Sequence, residues 1–348
     1  MKSSIFVLLT VLVLCPFLLQ PASAQGTHGS FMKGGKLTND EVQALEEELA
    51  AEPDNKAIRK KLLGYHFRTS LRNKADAKRK VEHILWFIEN DPESKAFSTP
   101  YLKIHGRLNL EGYRKAANKW DEVLEQDPEN ADIIKSAANW FANDEPEKSV
   151  RLAEQGKELE PGDSSFPELL AQNYRHQVLF TKDEEKKSEL AKKSFEELKI
   201  AFELSEPKKR GSMRGRMAKA AFAAGEFEDA KSFANQMLDD KSDNWNSGNN
   251  VHAGNNILGL IAIKSGDLQE AKRRLLAAGA TKGSPQLNSF GPNMLLAEEL
   301  LKHDQREVVL EYFELCREFW SRGGEKLDQW ADEIDNGKIP KFGGNLLY

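Results

Sequence analysis

The chain has 348 residues, 30% of them charged and 39% hydrophobic, with a formal net charge of −5. An acidic chain whose lysines are interspersed lacks the dominant basic field that nucleic-acid binding needs, which excludes that class of partner. Of its two cysteines, Cys15 falls in an apolar leading run, so Cys316 has no internal disulfide partner and the core alone must hold the fold.

The first residues read as a targeting segment. Lys2 supplies a short positive region, Ile5 to Leu19 an apolar run, and Ala22-Ser23-Ala24 a small-residue cleavage site. The run is shorter than the roughly 20 residues that span a bilayer. Residues 1–24 are therefore expected to be a signal peptide cleaved between Ala24 and Gln25, with export to the periplasm or beyond. Cys15 follows Leu14 rather than a small residue, so it belongs to the apolar run and not to a lipid-attachment site. Residues 25–37 are polar and Gly-rich and read as a flexible leader.

Helical periodicity begins at Thr38. Thr38 and Glu41 have capping-box spacing, followed by an apolar stripe of Val42, Leu45 and Leu49. Asn55 is placed to cap a second helix through Thr69, with Ile58, Leu62 and Tyr65 inward. Ala75 to Asn90 forms a third, burying Val81, Ile84, Leu85 and Ile88. Phe97 to Leu108 contains Pro100 and Gly106 and reads as irregular. Helical repeats are thus expected over 38–110, a repeat array over 111–282 and a helical cap over 283–348.

Four acidic residue–proline pairs punctuate the first half: Glu52-Pro53, Asp91-Pro92, Asp127-Pro128 and Glu160-Pro161. The prolines stand 39, 36 and 33 residues apart. A fifth pair, Glu145-Pro146, sits mid-interval, where the turn of a helix pair would fall. Self-similarity at this period marks stacked helical hairpins. Ala116, Trp120, Leu124 and Pro128 then follow one another at four-residue steps. Gly225 and Ala230 are five apart, as are Gly266 and Ala271, and the two glycines are 41 apart; Leu258-Gly259 precedes the second and Ala278 follows it.

These residues resemble the tetratricopeptide repeat, a family of helix–turn–helix units. The resemblance spans Ala75 to Ala280, although Asn255 and Ala262 stand where the family carries tryptophan and tyrosine. The C-terminal segment from Gly283-Ser284-Pro285-Gln286-Leu287 through Phe342-Gly343-Gly344-Asn345-Leu346 is similar to a tail on bacterial TPR-like proteins. The resemblance implies an all-α, right-handed solenoid of TPR-like repeats that displays a surface to a protein or peptide partner. In the last segment Val309, Tyr312, Phe313, Cys316, Phe319 and Trp320 form one apolar face, read as the seal of the array's end in preference to a docking surface.

Catalytic signatures are lacking: the sequence holds no HExxH, GxSxG, GxGxxG, CxxC or Walker-type loop. The histidines show no metal-ligand spacing, so no metal or cofactor is assigned, and His66 and His83 read as interface or surface residues. Two features remain. Lys208, Lys209, Arg210, Arg214, Arg216 and Lys219 form an acid-free basic run; it reads as a solvated face balanced by acids nearby, or as a site for an anionic partner or membrane surface. Trp245, Asn246, Asn249 and His252 precede one helix, and Ser289 and Asn293 the next. His252 and Asn293 are 41 residues apart, the step between the two glycines, so the two segments should be neighbours on one edge. They read as caps and a joint, or as a small polar binding site. The favoured function is a non-catalytic interaction scaffold in the cell envelope. The alternatives are an envelope enzyme acting on glycans, with Trp245 as a sugar platform, or a binder of anionic membranes through Lys208–Lys219.

Overall fold

The computed structural model describes residues 24–240, 242 and 244–347. The leading apolar run lies outside the described residues. Among those described, the chain is all-α and has no strand. In chain order the helices are α1 (Ala24–Gly34), α2 (Asn39–Ala51), α3 (Lys56–Thr69), α4 (Lys74–Asn90), α5 (Leu110–Gln126), α6 (Ala131–Phe141), α7 (Pro146–Leu159), α8 (Ser165–Phe180), α9 (Glu184–Leu204), α10 (Pro207–Ala224), α11 (Phe227–Leu238), α12 (Ser247–Lys264), α13 (Leu268–Gly279), α14 (Pro285–Phe290), α15 (Leu295–Lys302), α16 (Arg306–Arg317) and α17 (Gly324–Asp335). Two 3-10 turns, Lys95–Ser98 and Pro100–Leu102, occupy the irregular stretch before α5.

The acidic–proline pairs are helix stops. Glu52, Asp91, Asp127 and Glu160 are the C-terminal cap residues of α2, α4, α5 and α7. A residue before proline is driven out of the helical region, so each helix ends there. The next helical segment starts almost at once. Asn55, Ser94, Asn130 and Asp163 each accept a hydrogen bond from a backbone N–H two residues on. Glu145-Pro146 does the reverse: Pro146 is the first residue of α7, where its missing N–H has no helical partner to lose.

In the second half the stop is a left-handed residue. Gly225 has φ 84° and Gly266 φ 80°. At each, a 6→1 hydrogen bond closes the turn, from Glu226 N to Ala221 O and from Asp267 N to Ala262 O, both 2.9 Å. The same turn recurs at Asp304, φ 58°, with Gln305 N donating to Leu300 O at 2.9 Å. The pair α15–α16 is therefore built like α10–α11 and α12–α13, with aspartate where the others use glycine.

The principal packing runs between helices close in chain order, from α3 with α4 through α12 with α13, then α12 with α15 and α13 with α16. The apolar interior is divided accordingly. One cluster gathers around Phe97, Trp120 and Trp140, another around Met213, Met217 and Ala234, and a third around Tyr312, Phe313 and Trp330. Val309, Tyr312, Phe313, Cys316, Phe319 and Trp320 are all buried in the third, under Leu327, Trp330 and Phe342. That stripe is covered and offers no docking face.

The expected flexible leader is corrected. Residues 24–34 form α1, which packs on α3. Phe31 is fully buried, its ring stacked 4.5 Å from that of Tyr101. Glycines make the helix crossing close: a Cβ on Gly64 would stand 2.0 Å from Phe31 O, and one on Gly34 1.9 Å from Lys61 O. Here glycine serves helix contact rather than freedom of the chain.

Asp304→Gly is expected to raise stability by about 0.5–1 kcal/mol by relieving the left-handed backbone. Gly64→Ala should lower it by about 1–3 kcal/mol, because α1 must move off α3. Gly162→Ala, with nothing within 4 Å of the added Cβ, should stay within about 0.5 kcal/mol. Denaturant midpoints check all three. Burial pushes the Cys316 thiol well above its ordinary range. A thiol reagent should therefore label it slowly in the folded protein and rapidly in denaturant.

Candidate functional site

The polar segment at the start of α12 forms a joint with the segment that follows α13. Gly248 lets the two backbones meet: a Cβ there would lie 1.8 Å from Gly283 O. Thr281 Oγ1 donates to Gly248 O at 3.1 Å, and Ser284 Oγ to Asn249 Oδ1 at 2.7 Å. Asn249 Nδ2 donates to Gln286 Oε1 at 3.1 Å and to Asn246 Oδ1 at 2.9 Å.

His252 lies inside the joint and is buried. Its Nε2 accepts from the Asn293 backbone N–H at 3.0 Å, so its proton sits on Nδ1, which donates to Ala278 O at 3.1 Å. The 41-residue step thus brings His252 to Asn293, through the backbone of the latter. Burial is the main reason why the imidazole is held down to about 4, with the Ala278 carbonyl opposing and Lys219 adding to the shift. Trp245 is 52% exposed and Ser289 is exposed, and neither side chain joins this network. The buried members act as caps and ties, which leaves the indole as the part that faces solvent.

The basic run is largely engaged. Lys209 Nζ lies 2.8 Å from Glu168 Oε2, and Arg216 pairs with the same carboxylate. Arg210 donates to the carbonyls of Ser205 and Glu203 at the end of α9, a favourable place for a cation. Arg214 Nη1 lies 3.7 Å from Asp240. Lys208 and Lys219 stay exposed. Glu168 of α8 and Asp240, just after α11, thus engage three of the six basic residues.

A third cluster draws on three helices. Glu46 of α2, His66 of α3 and His83 of α4 each bring one metal-ligating atom within 4.8 Å of the others. His66 Nε2 is 3.5 Å and His83 Nε2 3.7 Å from Glu46 Oε1. All three atoms are sealed from solvent and have no hydrogen-bond partner. Arg79 Nη1 holds the other carboxylate oxygen at 3.1 Å, and Asp76 Oδ1 stands 3.3 Å from His66 Nδ1. Arg59 Nη1 lies 3.3 Å from His83 Nδ1, with its guanidinium 4.2 Å over the Trp86 ring. The adjacent His66 and His83 rings hold the Glu46 carboxyl far below the ordinary carboxylate range, and Arg79 adds to this. Burial pushes the His83 imidazole down. The sequence reading missed this grouping because its members come from three helices with no common spacing. The available signal was position: His66 lies four residues after Leu62, and His83 between Val81 and Ile84, on faces already assigned to the interior.

A depression of about 460 Å³ on α17 is lined by carboxylates including Glu325, Asp328, Asp332 and Glu333; Trp245 is not part of it. No helix among the described residues is long and apolar enough to cross a membrane. No family model matches the chain, and no curated protein matches it.

Trp245→Ala is expected to change stability by less than about 1 kcal/mol, since an exposed ring leaves no cavity. His252→Gln should cost about 2 kcal/mol or more at neutral pH by breaking buried hydrogen bonds. His252 also predicts a pH dependence. Its folded pKa of about 4 lies below the ordinary 6.5, so the unfolded chain takes up the proton first as pH falls. The stability it contributes is complete above 6.5 and is lost between 6.5 and about 4, on the order of 3 kcal/mol in all. Unfolding free energies of wild type and His252→Gln across this range should therefore converge as pH falls.

Proposed function

We propose that this chain is an exported, non-catalytic interaction scaffold: a right-handed solenoid of TPR-like helical hairpins that presents a protein or peptide partner with a surface in the cell envelope. The observation that carries the reading is the order of packing. Helix pairs closed by equivalent turns at Gly225, Gly266 and Asp304 lie one after another, and each is buried chiefly by its neighbours in the chain. Stacked repeats bury their faces in this way. The small residues expected where paired helices approach, Ala116, Ala230 and Ala271, are fully buried. The leading apolar run with its Ala22-Ser23-Ala24 site supports export.

The partner surface is placed at the edge that carries Trp245. An exposed indole beside a rigid, hydrogen-bonded joint costs little to order on binding and can dominate a contact at about 2 kcal/mol or more. The glycan-enzyme reading is weaker, since the carboxylate-lined depression on α17 does not include Trp245. The membrane reading is weakened because Lys209, Arg214 and Arg216 are engaged by Glu168 and Asp240.

Small-angle scattering of the leaderless chain should give a radius of gyration well above the roughly 20 Å of a compact domain of this length. A value near 20 Å would reject the solenoid. Wild-type protein used as bait in envelope extract should retain a defined protein that Trp245→Ala, still folded, does not.

A further inference from the structure

The cluster formed by α2, α3 and α4 has the chemistry of a metal site. We propose that Glu46, His66 and His83 bind one divalent first-row transition ion of the zinc type, which ties these three helices together. The inference does not rest on the scaffold reading.

Two imidazoles and one carboxylate suit zinc and its neighbours in the series. Calcium and magnesium prefer all-oxygen shells. The donor atoms lie within 4.8 Å of one another, and the two histidine nitrogens are 3.5 and 3.7 Å from Glu46 Oε1. These separations exceed a good hydrogen bond, which runs from about 2.7 to 3.2 Å. They are near the donor spacing of roughly 3.3–3.6 Å set by three ligands, each about 2.0–2.1 Å from a shared ion.

Glu46 Oε1, His66 Nε2 and His83 Nε2 are cut off from water and unpartnered, while both rings are nearly fully buried. Buried polar atoms are costly when nothing satisfies them. One ion satisfies all three at once, whereas each proton serves a single pair.

The surroundings divide into support and opposition. Asp76 Oδ1 stands 3.3 Å from His66 Nδ1; the two are not hydrogen-bonded, but a small approach would let the carboxylate hold a proton on Nδ1 and free Nε2 as a ligand. Arg79 takes Glu46 Oε2 and leaves Oε1 to the ion. Arg59 opposes binding. Its Nη1 can donate to His83 Nδ1 only while that nitrogen lacks a proton. A neutral His83 that ligates through Nε2 carries its proton on Nδ1, so Arg59 must release this contact. It has other holds, two hydrogen bonds to Pro53 O and its stacking on Trp86. Replacing its charge should therefore tighten the site.

The test uses tag-free, leaderless protein stripped by chelator and titrated with zinc chloride in a calorimeter. One equivalent per chain is expected, with a rise in the melting temperature. Cobalt in place of zinc should give the intense visible bands of a four- or five-coordinate ion. Glu46→Gln and His83→Gln should weaken binding at least tenfold, and Asp76→Asn by about ten- to a hundredfold. Arg59→Met should strengthen it. His105→Gln, which alters an exposed pair with Asp144, should leave it unchanged. Circular dichroism confirms that each variant is folded. If a cluster variant does not fold, the wild-type cobalt spectrum decides: weak octahedral bands overturn the site. Absence of saturable one-to-one zinc binding overturns it as well, as does equal affinity in folded Glu46→Gln and His83→Gln.

Discussion

An amphipathic helix by itself leaves its apolar stripe in water, and along this chain that stripe is buried chiefly by the helices nearest in sequence. The rest of the architecture follows from how closely such neighbours can approach. Where they approach most closely, one side carries almost no side chain. Gly156 receives the Phe166 ring, Gly259 receives Leu296, and Gly279 fits against Tyr312 and Leu315. Buried polar groups then set the register of adjacent helices. Ser149 Oγ donates to Ala138 O at 2.7 Å, Asn173 reaches Ser149 at 3.0 Å, and Ser194 Oγ donates to Ala171 O at 2.8 Å. Each is a short polar side chain satisfying a neighbouring helix, so sliding one helix along another would orphan it.

The ends of the helices follow two separate rules. In the first half a proline expels the preceding acidic residue from the helix, and a polar residue two positions later caps what comes next. In the second half a left-handed residue reverses the chain through a 6→1 hydrogen bond. The joint around His252 links the start of α12, which follows the reversal at Gly225, to the segment beyond the reversal at Gly266. It needs many hydrogen bonds because neither an apolar stripe nor a regular turn spans the gap between α13 and α15. Its asparagines and serines are spent on one another, and Trp245 is left on the outside.

Two groups of ionisable residues have opposite fates. On α10, Lys209 and Arg216 share the Glu168 carboxylate of α8 and Arg214 meets Asp240 in the segment after α11, all near solvent, where such pairs contribute little. Glu46, His66 and His83 meet where water is excluded. Arg79, Asp76 and Arg59 surround them, but the three inward-facing atoms remain unsatisfied. The same kinds of residue therefore balance charge at one place and concentrate unsatisfied donors at another, and the difference is desolvation.

Much of the local structure was readable from sequence because it depends on nearest neighbours in the chain. The stops at Pro53, Pro92, Pro128 and Pro161, the capping box at Thr38 and Glu41, the reversals at Gly225 and Gly266 and the apolar stripe around Cys316 all follow from steric rules acting within a few residues. The glycines of residues 25–37 suggest a free chain by sequence, and the helix over 24–34 becomes legible only where α3 fits against it. The turn at Asp304 was missed because its left-handed residue is not glycine. The burial of His252, the pairing of the basic run with Glu168 and the meeting of Glu46, His66 and His83 were decided by tertiary structure alone. Each joins residues on different helices, where separation in space depends on packing and has no fixed relation to spacing along the chain.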